Sequence, residues 1–216
     1  MKRIVAINAS PRAGWNTSAL VNKAADGAKA EGADIELFDL YKLDRFTGCI
    51  SCFGCKLAPN EGKCIYKDGL APVLEAVRNA DGLIIGTPNY LGDVSAGFRA
   101  LYERLIFQSL TYKKTPNSYN DRKIPVLMIM TSNADEAFYL PLGYKKMLKG
   151  YQQTLDSFVG NTKLMIVGNT KQVRDYSRFE WTVFDTAAKD ERHEKVFPEE
   201  CKKAFETGAK MVREPG

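Results

Sequence analysis

The feature that most constrains the fold of this chain is an alternation of short apolar runs with longer segments of helical periodicity. Residues 4–7, 83–85, 126–130 and 164–167 are nearly continuous apolar runs of strand length. Such runs are typical of parallel strands that helices cover on both faces. Residues 35–40 mix polar and apolar side chains, which predicts a strand at the edge of the sheet.

The segments between these runs have apolar residues spaced three and four apart, as on one face of a helix. This pattern covers residues 70–77, 98–106, 144–159 and 201–212. The alternation predicts an α/β fold: a doubly wound, five-stranded parallel sheet with helices on both faces. The 216 residues are best interpreted as one domain, 1–216. Periodicity alone leaves two strand orders open, Rossmann-like and flavodoxin-like.

The loop after the first run favours the flavodoxin-like order, 2-1-3-4-5. A dinucleotide-binding loop would need the glycines of G-x-G-x-x-G, but only Gly14 is present, and there is no Gly-Lys-Ser/Thr of a Walker loop. The loop instead carries side chains that suit a phosphate at a helix N-terminus: Ser10, Arg12, Asn16, Thr17 and Ser18. This predicts a mononucleotide such as FMN. The alternative is that Thr17 or Ser18 merely caps the helix.

A second loop follows the third strand-like run and contains Pro88, Asn89, Tyr90, Leu91 and Gly92. In a flavodoxin-type sheet, ligands bind where the strand order reverses, between strands 1 and 3. We therefore expect this loop to face the first one, with its backbone near a ring edge and Tyr90 against a flat ring. The alternative is an ordinary strand–helix turn.

Four cysteines follow the second run at spacings of two, two and eight residues: Cys49, Cys52, Cys55 and Cys64. They lie in a predicted loop insertion, 41–67, at the same edge of the sheet as the other two loops. Three interpretations remain open: ligation of an iron–sulfur cluster, a redox-active thiol without metal, and structural zinc.

Composition excludes several classes of protein. The net charge is +5, but the basic residues are interspersed with acidic ones, which argues against nucleic-acid binding. No run approaches the roughly 18 apolar residues of a membrane span, and the opening residues do not resemble a signal peptide, so we expect a cytoplasmic protein. His193 is the only histidine, which leaves little basis for hydrolysis by a nucleophile–histidine pair.

Taken together, the three motifs resemble those of the NADPH-dependent FMN reductase-like flavoproteins, with the closest likeness to their iron–sulfur flavoprotein branch. The likeness covers about residues 1–107. It implies a flavodoxin-like fold, non-covalent FMN, and a homodimer or homotetramer in which a neighbouring subunit completes the flavin pocket. Electrons would pass from NAD(P)H or a ferredoxin-like donor to a small-molecule or protein acceptor.

The resemblance also implies roles for the residues named above. Those of the first loop would hold the phosphate, residues 88–92 would line the isoalloxazine, and the four cysteines would bind a [4Fe–4S] cluster. No catalytic side chain is required, because the flavin carries the chemistry. Arg99, Glu103 and Arg104 stand where many members have Lys and Asp-Arg.

Two other functions and one structural question remain open. The chain could be a flavodoxin-like electron carrier that does not itself oxidise NAD(P)H, or a zinc-stiffened, non-redox nucleotide-binding module. Residues 108–122 and 169–198 are long connections. We expect the second to be an extended loop that packs on another subunit or over the flavin, because it carries Tyr176, Phe179, Trp181 and Phe184.

Overall fold

The computed structural model describes residues 1–214, which form a five-stranded sheet flanked by six α-helices. The last two residues of the predicted 1–216 domain lie outside the described part. The strands are Arg3–Asn8 (β1), Asp34–Asp39 (β2), Gly82–Pro88 (β3), Val126–Thr131 (β4) and Thr162–Val167 (β5). The helices are Asn16–Ala30 (α1), Ala71–Arg78 (α2), Ala96–Ser109 (α3), Tyr144–Phe158 (α4), Thr186–Lys195 (α5) and Phe197–Arg213 (α6).

All strand pairs are parallel, and the order is β2-β1-β3-β4-β5, which confirms the predicted flavodoxin-like sheet with β2 at one edge. The register aligns the carboxyl ends of the strands: Asn8 lies opposite Gly86, and Thr131 lies opposite Val167. Because β1 lies between β2 and β3, the chain changes direction across the sheet at the end of β1. The loops that follow β1 and β3 therefore leave the sheet side by side.

Each face of the sheet has its own apolar core because side chains alternate along the strands. Val5 and Ile7 of β1 face a cluster that includes α2, α3 and α4. Ile4 and Ala6 face the opposite cluster, which α1 and α6 cover. The sheet is thus enclosed on both faces, as its continuous apolar strands predict.

Helices α1 and α6 approach each other closely because glycine stands at both contact points. A Cβ atom at Gly27 would overlap the carbonyl oxygen of Phe205, and one at Gly208 would overlap that of Ala24. Helix α6 therefore supports α1, whose first turn lies at the carboxyl edge of the sheet.

The segment 169–198 differs from the extended loop that the sequence suggests, since it contains all of α5 and the start of α6. Helix α5 has no apolar stripe to reveal it, and Lys189 is its only buried residue. Its start is fixed by Asp185, whose side chain accepts a hydrogen bond from the Ala188 N–H at 3.0 Å. By contrast, the described segment 41–67 holds only short 3-10 turns.

Candidate functional site

The loops after β1 and β3 are hydrogen-bonded to each other at the carboxyl edge of the sheet. The Ala9 N–H donates to the Gly86 carbonyl oxygen (2.8 Å), and the Ser95 hydroxyl donates to the Ala9 carbonyl oxygen (2.6 Å). The Ser95 N–H donates to the Thr87 hydroxyl at 3.0 Å. These bonds hold both predicted binding loops in one arrangement.

The first turn of α1 presents free backbone donors toward this edge. Its N-cap is Trp15, which forms no side-chain capping bond, so neither Thr17 nor Ser18 caps the helix. Among residues 1–214, the backbone N–H groups of Asn16, Thr17 and Ser18 have no acceptor. A helix start with three free donors and a positive dipole end is suited to a phosphate.

The polar side chains of this loop divide into buried and exposed positions. Those of Ser10, Asn16, Thr17 and Ser18 are buried. The Thr17 hydroxyl shares a hydrogen bond with that of Thr131 (2.7 Å). Arg12 is exposed and lies with its guanidinium carbon 4.5 Å from the centre of the Trp15 ring. The loop thus offers neutral donors inside and one cation at its mouth.

The loop after β3 closes into a tight turn. Tyr90 and Asp93 exchange two backbone hydrogen bonds (2.8 and 3.1 Å), and Leu91 and Gly92 between them have positive φ angles of 55° and 89°. The Asn89 side-chain oxygen accepts a hydrogen bond from the Gly92 N–H at 3.0 Å. Leu91 is fully exposed and Tyr90 is 44% exposed, so the turn projects from the surface.

One observation indicates a place for a ligand beside the second loop. Burial raises the pKa of Tyr90, and the charge of Arg12 opposes this rise. The Asn89 amide nitrogen, Nδ2, is buried without a hydrogen-bond partner in the described chain. Because an unpaired buried donor is costly, this atom is suited to an acceptor on a bound ring.

Sequence reasoning missed the contribution of the loop after β4. Thr131 and Ser132 are buried at this edge, and the Ser132 hydroxyl accepts a hydrogen bond from the Tyr139 hydroxyl at 2.7 Å. The Asn89 N–H donates to the Thr131 carbonyl oxygen at 2.7 Å, which ties this strand end to the turn. Every parallel strand ends at this edge. The predicted strand at 126–130 could therefore have indicated that the residues after it contribute to the site.

Lys189 was also missed, and no local pattern marks it. Its ammonium group donates to the Asn133 carbonyl oxygen (3.0 Å), the Asn169 side-chain oxygen (2.7 Å) and the Thr170 carbonyl oxygen (3.4 Å). Burial lowers the pKa of Lys189 to about 8. This lysine joins the loops that follow β4 and β5, although the residues it links are distant in sequence.

The four cysteines line a single pocket on the α3 side of the segment 41–67. Cys55 is buried, Cys52 is exposed, and Cys49 and Cys64 are half-buried. Ser51 and Phe53 both have positive φ angles, 52° and 57°. These conformations are costly for residues other than glycine, and they fold the segment around the pocket.

Arg104 lines the same pocket and anchors the segment. Its buried guanidinium donates to the Asp68 carboxylate (2.5 Å) and the Tyr66 carbonyl oxygen (2.8 Å), whereas its Nε atom has no partner in the described chain. Burial alone would lower the pKa of Arg104, but Asp68 and Cys64 raise it above its usual value. A buried donor without a partner beside four thiols fits an anionic centre.

The thiols are not gathered around one point. Among residues 1–214, no group of three or more His, Cys, Asp or Glu side chains is arranged to hold a single metal ion. A zinc ion would need its thiolates about 2.3 Å away. Burial raises the pKa of Cys55, and the charge of Lys56 opposes this rise. Which centre, if any, the four thiols hold therefore stays a prediction.

The aromatic residues of the segment 169–198 pack mainly on one another. Phe179 stacks on Trp181 with ring centres 4.5 Å apart, and Tyr176 and Phe184 contact Trp181 at 5.9 and 5.8 Å. Phe179 also lines a surface cleft with Arg12 and Trp15 of the first loop. The cluster therefore lies beside the start of α1, and its role as a subunit contact stays a prediction.

The fold and this edge together define a flavodoxin-like α/β protein whose first helix is suited to a phosphate group. Comparison with protein families agrees: residues 2–137 match the NADPH-dependent FMN reductase family, and the chain belongs to that family. This confirms the resemblance found in the sequence.

Individual relatives agree with the branch. The chain is 34% identical over 102 residues to an iron–sulfur flavoprotein of Methanocaldococcus jannaschii, covering 47% of this chain and 51% of that protein. It is 34% identical over 104 residues to one of Archaeoglobus fulgidus, covering 47% and 48% of the two chains. The matched part therefore spans about half the length of these relatives.

Solved structures show the same fold at low sequence identity. An NAD(P)H:quinone oxidoreductase from Methanothermobacter marburgensis superposes with a TM-score of 0.72 at 14% identity, covering 100% of this chain and 99% of the other. An azoreductase from Bacillus anthracis superposes with a TM-score of 0.68 at 12% identity, covering 97% and 100%. In the described part of the chain, none of the helices has the length and apolar character needed to cross a bilayer.

Proposed function

We propose that this chain is an FMN-dependent oxidoreductase that takes electrons from NAD(P)H and passes them to a separate acceptor. The observation that carries the proposal is the first turn of α1, with three free N–H donors and the buried Ser18 hydroxyl, beside the turn after β3. Family membership supports FMN as the ligand of this edge.

The residues of the first loop would bind the FMN phosphate. The N–H groups and hydroxyls of Thr17 and Ser18 would donate to its oxygens, with Ser10 and Asn16 beside them. Arg12 lies at the mouth of the loop, where its charge attracts the dianion. The internal bonds of the loop already hold its backbone in place, so binding would require little reordering.

The residues after β3 would line the isoalloxazine. Pro88 ends the strand, the unpaired Asn89 amide would donate to an acceptor on the ring, and Tyr90, Leu91 and Gly92 would lie along its edge. Bound FMN supplies the capacity to accept a hydride and to release electrons one at a time. The chain itself orients the ring and excludes water from its inner edge.

Cys49, Cys52, Cys55 and Cys64 would hold a [4Fe–4S] cluster. The shared pocket and the unpaired Nε atom of the buried Arg104 support this assignment, since a positive group stabilises thiolates. The curated relatives are named iron–sulfur flavoproteins. The donor of electrons would be NAD(P)H or a ferredoxin-like protein, and the acceptor a small molecule or a protein.

A homodimer or homotetramer is part of the proposal. The exposed apolar side chains at this edge include Leu91, Phe138, Leu140 and Leu142. Contiguous exposed apolar groups are typical of interaction surfaces. A neighbouring subunit at this surface would shield the outer side of the flavin.

The test is an anaerobic visible spectrum of the purified protein, followed by a steady-state assay of NAD(P)H oxidation with quinone or added FMN as acceptor. We expect one FMN per chain and sustained turnover. Bound FMN without turnover would identify an electron carrier instead. A colourless protein with one zinc per chain would contradict the redox function altogether.

The cluster is tested separately by iron and sulfide analysis of the wild type and of the Cys52→Ala variant. We expect Cys52→Ala to lose the iron and its broad absorbance while the flavin bands persist. Cys201→Ala is the matched control, because Cys201 packs against the core on α6 and lies outside the pocket. Iron content that is unchanged in Cys52→Ala would refute the assignment.

A further inference from the structure

A chain of hydrogen bonds leads from the cysteine-containing segment into helix α3. The backbone N–H of Cys49 donates to Glu103 Oε2 at 3.3 Å, and Arg99 Nε donates to Glu103 Oε1 at 3.0 Å. The close approach depends on Gly48, because a Cβ atom there would overlap the Glu103 carboxylate. The carboxylate thus joins the segment to Arg99.

The chain continues from Arg99 through helix α4 to the turn after β3. Arg99 Nη1 donates to the Tyr151 hydroxyl at 3.2 Å, and this hydroxyl donates to Asp93 Oδ1 at 2.9 Å. Asp93 Oδ1 also accepts from the Val94 N–H at 2.7 Å. An unbroken series of hydrogen bonds therefore connects Cys49 with the 90–93 turn.

Tyr151, in the middle of this series, is held by close packing. Tyr151 is buried, and its ring lies edge-on to those of Phe98 (5.6 Å) and Tyr102 (4.8 Å). Burial raises the pKa of Tyr151 to about 12, so its hydroxyl remains a donor near neutral pH. Both bonding capacities of the hydroxyl are used, one by Arg99 and one by Asp93.

The Arg99–Glu103 ion pair differs from an ordinary surface ion pair in its further hydrogen bonds. The Arg99 and Glu103 side chains are 53% and 37% exposed, and such pairs contribute little to stability. What distinguishes this pair is that each partner has a second bond, one to the turn through Tyr151 and one to the backbone of the cysteine-containing segment. An unbroken series of hydrogen bonds through a buried tyrosine can couple the order of the two loops that it joins.

We propose that Arg99 and Tyr151 are positioning residues that couple the 90–93 turn to the cysteine-containing segment, so that FMN binding at the turn also orders residues 48–53. The inference rests on the proposed function in that FMN is the ligand used to probe the turn. It assigns a link between the two sites that family membership does not provide.

Hydrogen–deuterium exchange of the full chain, with and without saturating FMN, tests the link. In the wild type we expect FMN to slow amide exchange at least about threefold in peptides covering 88–94 and in those covering 48–53. In Tyr151→Phe we expect slowing at 88–94 only, because the bonds to Arg99 and Asp93 are lost.

Two further variants sharpen the test. Glu103→Gln breaks the series, because the NH2 group that replaces one carboxylate oxygen cannot accept from Arg99 or from the Cys49 N–H, and the variant should behave as Tyr151→Phe does. Tyr102→Phe is the matched control. It removes a hydroxyl from the same α3–α4 contact, but that hydroxyl has no hydrogen bond in the described chain, so the wild-type response should persist.

The outcomes separate the inference from the function on which it rests. If wild-type protein binds FMN but exchange at 48–53 does not change, the inference is wrong and the proposed function stands. If Tyr151→Phe and Glu103→Gln keep the response at 48–53, FMN acts on that segment directly and the link is again refuted. If the wild type binds no FMN, both fail.

Discussion

The start of α1 and the cysteine-containing segment are held in place in different ways. The start of α1 lies at the carboxyl edge of the sheet. The cysteine-containing segment, which the sequence predicted at the same edge, instead packs along α3, where the N–H groups of Cys49 and Cys64 donate to Glu103 and Gln108. The first is an extension of the sheet: Ala9 bonds to Gly86, and Thr17 bonds to Thr131, through groups on neighbouring strands. The second has no strand or α-helix of its own within residues 41–67 and depends on the buried ion pair of Arg104 with Asp68.

This difference shows that the two sites have separate sources of order. The phosphate loop is ordered by topology, because parallel strands must end where they do. The thiol pocket is ordered by a few side chains on α3. Loss of the Arg104 ion pair should therefore disturb the thiols while leaving the start of α1 intact, and changes in the first turn of α1 should do the reverse.

The largest effect is expected from Arg104→Met. Removing this guanidinium leaves the buried Asp68 carboxylate without its charged partner, with only the Thr47 and Leu70 N–H groups as donors, which costs roughly 3–5 kcal/mol. Urea unfolding should show this loss, and hydrogen exchange should show faster opening of residues 41–67. The Kd for FMN should change less than about threefold, in keeping with the separate origin of the flavin edge.

An exposed ion pair provides the control for this variant. Arg122→Met removes the same type of side chain from its pair with Asp81, in which both partners are more than a third exposed. We expect a loss below about 1 kcal/mol. If Arg104→Met abolished FMN binding while the protein stayed folded, the phosphate loop and the cysteine-containing segment would not have separate sources of order.

A smaller effect is expected from Ser18→Ala, which tests the phosphate loop at the start of α1. Loss of a hydrogen bond to a charged group costs about 1.5–3 kcal/mol, so FMN should bind roughly 10–100 times more weakly. Fluorescence titration measures this change. Ser157→Ala is the control, since its hydroxyl bonds only to the Gln153 carbonyl oxygen within α4. Equal affinity in both variants would remove Ser18 from the phosphate site.

The smallest effect concerns the pH dependence of stability. The pKa of Lys189 falls from 10.5 to about 8 on burial, so above pH 8 the unfolded chain binds a proton that the folded chain has released. The wild type should therefore gain stability relative to Lys189→Met as the pH rises from 8 to 10, by about 1 kcal/mol per pH unit.

Urea unfolding of both proteins between pH 7 and pH 10 measures this difference. As the pH falls to about 7 the difference should become nearly constant, because Lys189 is then mostly protonated in both states. A difference that stays constant up to pH 10 would show that the three oxygens around the ammonium group offset its burial.

Much of the fold could be predicted because its signals are local. Continuous apolar runs identified β1, β3, β4 and β5, and the polar run at 35–40 identified the edge strand β2. Helix α5 was not recognised, since only Lys189 on it is buried and no apolar stripe marks it. The strand order was predicted from the motif in the first loop, and that order places the loops after β1 and β3 side by side.

The linear order of residues thus specified the sheet, the edge at which ligands bind, and the two loops that meet there, because each depends on periodicity over a few residues and on parallel connection. Only the packed chain revealed Arg104 beside the thiols, Lys189 between two strand ends, and Tyr151 between Arg99 and Asp93. These contacts join residues 19 to 58 positions apart. They depend on how helices dock on the sheet, and helix docking leaves no repeating pattern in the sequence.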